Sequence, residues 1–211
     1  MKGNLIIITS PSGGGKGTLI KEVLRSVPHI GYSVSYTTRQ PRPGEEDGRE
    51  YFFVSREEFE RLRDSGELLE WATVHDNYYG TAKSQIDNIT NAGHDVILEI
   101  DVQGAKLVLE KMPDAVSIFI MPPSFEVLRA RLTARATETS ADLSLRLRNA
   151  FTEVGEYQHF RYVIVNEEVG HAADDLRCIV FAERRRTDRQ SDGVQSILDS
   201  FDPSKTRSVG D

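Results

Sequence analysis

Four short, mostly apolar runs mark the chain: Leu5–Ile8, Val96–Ile100, Val116–Ile120 and Tyr162–Val165. They are rich in Ile and Val and show no regular polar alternation. Strands buried on both faces have this character, because helices cover a parallel sheet above and below. Between the runs, helical stretches are predicted over Gly17–Ser26, Ala82–Ala92, Val102–Lys111, Ser124–Ala134, Asp142–Tyr157 and His171–Arg185. Strands that alternate with helices predict an α/β fold with a doubly wound parallel sheet.

Two segments break the rhythm. Residues Tyr32 to Tyr79 read as short strands (Tyr32–Thr37, Tyr51–Val54, Leu68–Val74) around one helix, Arg56–Ser65. Within them, Gln40–Arg49 holds two prolines and two glycines, the composition of an exposed, ligand-facing turn. The second segment, Thr133–Asp142, is rich in Thr and Ala and reads as a mobile flap. Trp71 is expected in the core. After Arg186 the chain is polar and nearly devoid of large apolar residues except Ile197, Leu198 and Phe201, so a loose tail is expected.

Composition narrows the function classes. With 38% hydrophobic and 28% charged residues over 211 positions, the chain is too apolar for disorder and too polar for a membrane protein. Lys plus Arg number 26 against 33 Asp plus Glu, a formal charge of −7 that repels nucleic acid backbones. A pocket of a few arginines remains compatible with a small anionic ligand. The single cysteine, Cys178, excludes an internal disulfide and a cysteine-based zinc cage. No apolar stretch reaches membrane-helix length, and the run at Leu5–Ile8 is too short for a signal peptide, so a cytoplasmic protein is expected.

Chemistry first appears at Ser10-Pro11-Ser12-Gly13-Gly14-Gly15-Lys16-Gly17-Thr18, directly after the first strand and opening a helix. It is a phosphate-binding loop with two departures from G-x-x-x-x-G-K-[ST]: Ser10 replaces the first Gly, and Gly17 replaces the hydroxyl residue. Consecutive glycines let backbone N–H groups turn toward a phosphate, and the helix presents its positive end. Lys16 adds a full charge near the β and γ phosphates of a donor. Gly17 removes a hydroxyl that ordinarily touches Mg²⁺, leaving the ion to phosphates and water.

Further along stands Ser33-Val34-Ser35-Tyr36-Thr37-Thr38-Arg39-Gln40-Pro41-Arg42-Pro43-Gly44-Glu45, then Gly48-Arg49-Glu50-Tyr51. Two arginines three apart, beside hydroxyls and a tyrosine, suit a forked phosphate clamp. Glu70-Trp71, Asn77-Tyr78-Tyr79-Gly80-Thr81 and Glu99-Ile100-Asp101-Val102-Gln103-Gly104 follow. Together with the phosphate loop, this string closely resembles the guanylate kinase family from about Asn4 to about Arg184, and Thr-Thr-Arg-x-Pro-Arg is its most specific part.

The resemblance implies transfer of the ATP γ-phosphoryl group to GMP or dGMP, with Mg²⁺ as cofactor and no membrane or nucleic acid partner. It implies that Ser10, Pro11, Ser12, Gly13, Gly14, Gly15, Lys16, Gly17 and Thr18 bind ATP, with Arg131, Arg135 and Asn166. Arg39, Arg42, Tyr51 and Tyr79 match positions that hold the GMP phosphate. Ser35, Glu70, Thr81 and Asp101 match those that contact guanine, and Thr81 keeps the hydroxyl of the family's more frequent Ser. Lys16, Arg39, Arg135 and Arg146 are the expected catalytic charges; Ala136 stands where the family usually has Gly. No residue is assigned as a direct Mg²⁺ ligand, Asp101 acting on the ion at most indirectly.

The implied division is a nucleotide-binding core of residues 1–31, 82–132 and 158–186, a GMP-binding region 32–81, a lid 133–157 and a flexible tail 187–211. Guanine presents N1–H and a 2-amino group as donors, so carboxylates are its natural readers, whereas adenine leaves them unpaired. That argues against a kinase for another monophosphate. The intact Gly13–Lys16 loop argues against a non-catalytic scaffold of the membrane-associated guanylate kinase kind.

Overall fold

Leu5–Thr9 becomes the central strand of the molecule because both its faces are apolar and every residue in it is buried. The computed structural model describes residues 1–74, 76–134 and 140–201. In chain order these form β1 (Leu5–Thr9), α1 (Lys16–Ser26), β2 (Ile30–Tyr32), β3 (Tyr36–Thr37), β4 (Phe52–Phe53), α2 (Arg56–Asp64), β5 (Leu68–Val74) and β6 (Asn77–Ala82). There follow α3 (Lys83–Asn91), β7 (Asp95–Glu99), α4 (Val102–Lys111), β8 (Val116–Met121), α5 (Phe125–Thr133), α6 (Ser140–Gly155), β9 (Tyr162–Val165), α7 (Val169–Arg184) and α8 (Ser191–Leu198).

Five strands make an all-parallel sheet in the order β2-β7-β1-β8-β9. Alternate residues of β1 serve opposite faces. Ile6 and Ile8 pack with Leu19, Val23 and Leu176, from α1 and α7, while Leu5 and Ile7 pack with Ile86, Val102 and Val108, from α3 and α4. Each such fully buried side chain contributes roughly 1.5–3 kcal/mol. The partners of β1 lie on either side of it, β7 and β8, so a crevice opens beyond the carboxyl ends of these strands. The phosphate loop and Glu99 both emerge there.

A second sheet, β4-β3-β6-β5, stands apart with its own small core of Phe59, Leu62, Leu68 and Ala82. The expected strand Tyr32–Thr37 is in fact two. Ile30–Tyr32 pairs with β7 in the main sheet, and Tyr36–Thr37 pairs with β4 and β6 in the second. The chain therefore changes sheets at Ser33–Ser35, with the Ser33 N–H still bonded to the Ile97 carbonyl at 2.9 Å. Trp71 is not a core residue: it is 41% exposed, with the Arg63 guanidinium 5.4 Å from its ring. Period-two alternation in β5 explains the exchange, since turning Glu70 inward turns Trp71 outward. Past Arg186, where a loose polar tail is expected, the described residues form a 3₁₀ turn at Thr187–Arg189 and then α8.

Candidate active site

The phosphate loop bridges β1 and α1, and its shape demands glycine at two points. Gly13 and Gly15 have φ of 84° and 90°, the left-handed region that side chains disfavour. A Cβ on Gly15 would also lie 2.3 Å from the Asn166 amide nitrogen. Ser10, in place of the motif's first glycine, is 5% exposed and donates its hydroxyl to the Pro11 carbonyl at 2.9 Å. The Gly14 N–H bonds the same carbonyl, also at 2.9 Å. Thr18 lies exposed on the first turn of α1, away from where Gly17 would present a hydroxyl.

Lys16 opens α1 with its ammonium 3.7 Å from a Glu99 carboxylate oxygen. Glu99, the last residue of β7, also accepts the Tyr32 hydroxyl at 3.1 Å. Burial and the Glu99 charge push that hydroxyl's pKa up, so it remains a donor. Asp101, expected at the end of the strand, instead caps α4 and accepts the Gly104 N–H at 2.7 Å. The acid facing Lys16 from the strand end is thus Glu99.

In the second sheet, Glu70 is 4% exposed and accepts the hydroxyl of fully buried Thr81 at 2.6 Å. A methyl built on Gly104 would lie 3.3 Å from a carboxylate oxygen of both Glu70 and Asp101, so the two acids converge over that glycine. Burial pushes the Glu70 carboxyl up to about 7; the Asp101 charge adds to the rise, while the Thr81 hydroxyl and the Lys111 ammonium oppose it. Ser35 is half-buried at the switch between sheets.

Arg39 forms a two-pronged pair with Glu45, both N···O distances 3.0 Å, and its guanidinium sits 5.3 Å from the Tyr51 ring centre. The fork holds the Glu45 carboxyl below the usual carboxylate range. Tyr51 and Tyr79 meet edge to face at 5.8 Å. Arg42 joins this cluster through its backbone N–H, which donates to Glu45 at 2.8 Å, while its side chain is exposed. The structure thus gathers Arg39, Tyr51 and Tyr79, and leaves the Arg42 head in solvent.

Comparison with known proteins decides the family. The family model for guanylate kinase matches residues 2–183. A guanylate kinase of Symbiobacterium thermophilum is 50% identical over 197 residues, covering 93% of each chain. One from Aromatoleum aromaticum is 51% identical over 186 residues, covering 88% of this chain and 91% of that one. The crystal structure of guanylate kinase from Anaplasma phagocytophilum superposes with a TM-score of 0.75 at 38% identity, covering 95% of each chain. The chain belongs to the guanylate kinase family.

Membership makes the protein an ATP:GMP phosphotransferase. Two nucleotides must meet in a guanylate kinase, and the helices α5 and α6 flank the phosphate loop of this one. Arg131 on α5 donates to the Asn166 backbone carbonyl at 2.9 Å, and the Asn166 amide donates to the Gly14 carbonyl at 2.9 Å. Asn166 is 1% exposed, so its side chain braces the loop directly. Arg146 lies half-buried on α6. Arg135, expected among the catalytic charges, falls outside the described residues. Two acids escape a motif-based reading. Glu99 closes a strand whose middle is apolar and is only a neighbour of the motif acid Asp101, and Glu153 resembles any solvated acid on an amphipathic helix.

Proposed function

We propose that the second sheet, residues 32–81, holds GMP, and that the phosphate loop with the roots of the lid, residues 133–157, holds ATP on the core. The observation that carries this division is the buried Glu70–Thr81 pair converging with Asp101, at one end of a segment whose other end is the Arg39–Tyr51–Tyr79 cluster. One end suits the donor edge of guanine, the other a phosphate. The reading takes GMP or dGMP as the acceptor.

Mg²⁺ fits the donor side. Among the described residues no three His, Cys, Asp or Glu side chains gather as a cage, so ATP phosphates and water supply most ligands. Glu99 is the hard oxygen donor beside Lys16, and open space at Gly17 leaves its carboxylate 3.8 Å from where a side chain would begin. When bound, the ion neutralises charge on the transferring phosphoryl group. Glu99 would hold it through water.

The nucleophile is a GMP phosphate oxygen, largely ionised at neutral pH because a phosphate monoester loses its second proton near pH ~6. No general base is needed. A bond forms from that oxygen to the γ phosphorus, and the bond to the β–γ bridging oxygen breaks, leaving ADP. The protein contributes alignment and charge: Arg39 orients the acceptor, and Lys16 and the loop amides steady the donor. A coupled assay of ADP release across GMP, dGMP, AMP, UMP and CMP tests the reading. Turnover confined to GMP and dGMP is expected; comparable turnover with AMP would overturn it.

Glu70→Gln is expected to lower the ratio of kcat/KM for GMP over AMP by ~10-fold or more. The amide nitrogen turns a donor toward guanine's own donors and removes a charge-assisted bond. An unchanged ratio in folded protein would leave base selection to Asp101, Ser35 and Thr81.

The same carboxyl predicts a pH dependence. Below about 7, Glu70 carries a proton and offers guanine a poorer acceptor. Affinity for guanosine, which lacks a titrating phosphate, should therefore rise as pH increases through 7 and level off above it. Calorimetry from pH 5.5 to 8.5 should show this rise in the wild type and a flat profile in Glu70→Gln. The stability linkage has the opposite sense. The native state retains a proton that the unfolded chain releases from about 4.5 upward, so the contribution of Glu70 to stability falls as pH rises from there to about 7.

A further inference from the structure

Glu153 takes no part in the reaction outlined above, yet it touches the phosphate loop. It lies near the end of α6, the helix that returns from the lid, and one carboxylate oxygen accepts the Ser12 N–H at 3.3 Å. The side chain is half-buried. Burial pushes its carboxyl above the usual range, the Ser12 N–H pulls it back, and the charges of Asp101 and Lys16 act on it in opposite senses. An acid that feels Lys16 stands close to where a triphosphate enters.

The hydrogen bonds of the loop show what this contact does. The Gly14 N–H is committed to the Pro11 carbonyl, and the Ser12 N–H to Glu153. Among the described residues, the N–H groups of Gly13, Gly15, Lys16 and Gly17 have no protein acceptor, and these are the groups free to meet phosphate oxygens. Ser12 therefore marks the outer rim of the cradle. Its N–H is committed to Glu153 on α6.

The lid's roots brace the neighbouring loop residues too. The Leu132 and Leu128 side chains lie 3.0 and 3.1 Å from where a Cβ of Gly13 would stand, and Arg131 with Asn166 holds Gly14. Those contacts come from α5 and the end of β9. Glu153 is the brace from α6, whose Ala150, Leu143 and Leu147 pack on Leu128 and Leu132.

We propose that Glu153 is a positioning residue for the donor side: by accepting the Ser12 N–H it holds the rim of the phosphate loop in its cradle form and joins that rim to the lid helix before ATP arrives. The inference rests on the assignment of the loop to ATP. Its benefit is preorganisation, since a loop already shaped loses less freedom on binding phosphate.

Two substitutions separate the hydrogen bond from the charge. Glu153→Gln keeps an acceptor oxygen at the same reach and loses the charge. Glu153→Asp keeps the charge and withdraws it by one methylene. We expect KM for ATP to rise by ~10-fold or more in the Asp variant, with lower kcat, and to stay within about threefold of wild type in the Gln variant. Affinity for GMP, measured by calorimetry without ATP, should be unchanged in both. Amide hydrogen exchange at Ser12 in the ligand-free protein should be faster in Glu153→Asp alone. A wild-type KM in the Asp variant, equal damage in both, tighter ATP binding in either, or a parallel loss of GMP affinity would each overturn the proposal. Wild-type turnover in the same assay keeps the functional reading separate: its absence removes that reading, whereas its presence beside unaltered variants removes only the role of Glu153.

Discussion

Lys16→Ala is expected to reduce kcat by ~100-fold or more, the usual cost of removing a group that meets charge developing in a transition state. The structure adds to that cost. The Lys16 ammonium lies 3.7 Å from a Glu99 oxygen, each side chain only 25% exposed. Without the lysine, Glu99 keeps its negative charge beside the entering phosphates, and a lost attraction becomes a repulsion. The acceptor cluster does not contact Lys16, so calorimetric affinity for GMP should stay within about twofold, a difference of only ~0.4 kcal/mol. Turnover near the wild-type rate would remove Lys16 from the reaction. A collapse of GMP affinity would show that the two halves of the site are not separable.

Arg39→Ala is expected to raise KM for GMP by ~100-fold, because the phosphate loses charge-assisted hydrogen bonds of roughly 1.5–3 kcal/mol in total and gains an unpaired neighbour. That neighbour is Glu45, which both prongs of the Arg39 guanidinium now satisfy. Freed of the arginine, it turns a carboxylate toward the same phosphate. Removing Glu45 together with Arg39 should recover part of the loss, and such non-additivity is the signature of coupled neighbours. Arg42→Ala, whose side chain is exposed, should cost less than Arg39→Ala. Steady-state kinetics at saturating ATP checks the series. An equal rise in the two substrates' KM values would place Arg39 outside the acceptor clamp.

The parts of this protein that a sequence shows well are those where one physical demand acts alone. Leu5–Ile8 and Val116–Ile120 read as buried strands because both faces must be apolar, and they are. Gly14 and Gly15 of the phosphate loop read as a cradle because a Cβ there would collide with Ser10 and Asn166. Elements under two demands were harder to see. Ile30–Tyr32 is three residues long with Gly31 in its middle, and that glycine is needed where the strand approaches Ile89. Asn77–Ala82 has no Val or Ile, since its residues meet polar and aromatic partners: Tyr79 the Tyr51 ring, Thr81 the buried Glu70. Trp71 looks like core by composition but yields the inward position to Glu70, an acid that no hydrophobic pattern places inside. Glu99 and Glu153 carry no local pattern, because what they do depends on partners 83 and 141 positions away.

The central place of β1 also bears on how the protein is made. Its neighbours are β7, with Leu5 opposite Val96, and β8, with Ile6 opposite Val116. β1 is thus made well before either of its partners. At ~5–20 residues per second, about 5–18 s of synthesis separate Leu5 from Val96 in β7, the earlier of the two partners. During that interval Leu5-Ile6-Ile7-Ile8, a β-prone segment without charge or proline, has no strand to pair with. The parallel topology that opens a crevice beyond β1 therefore leaves the growing chain with an unpaired apolar segment, which collapse onto α1 or a chaperone must shelter until β7 emerges.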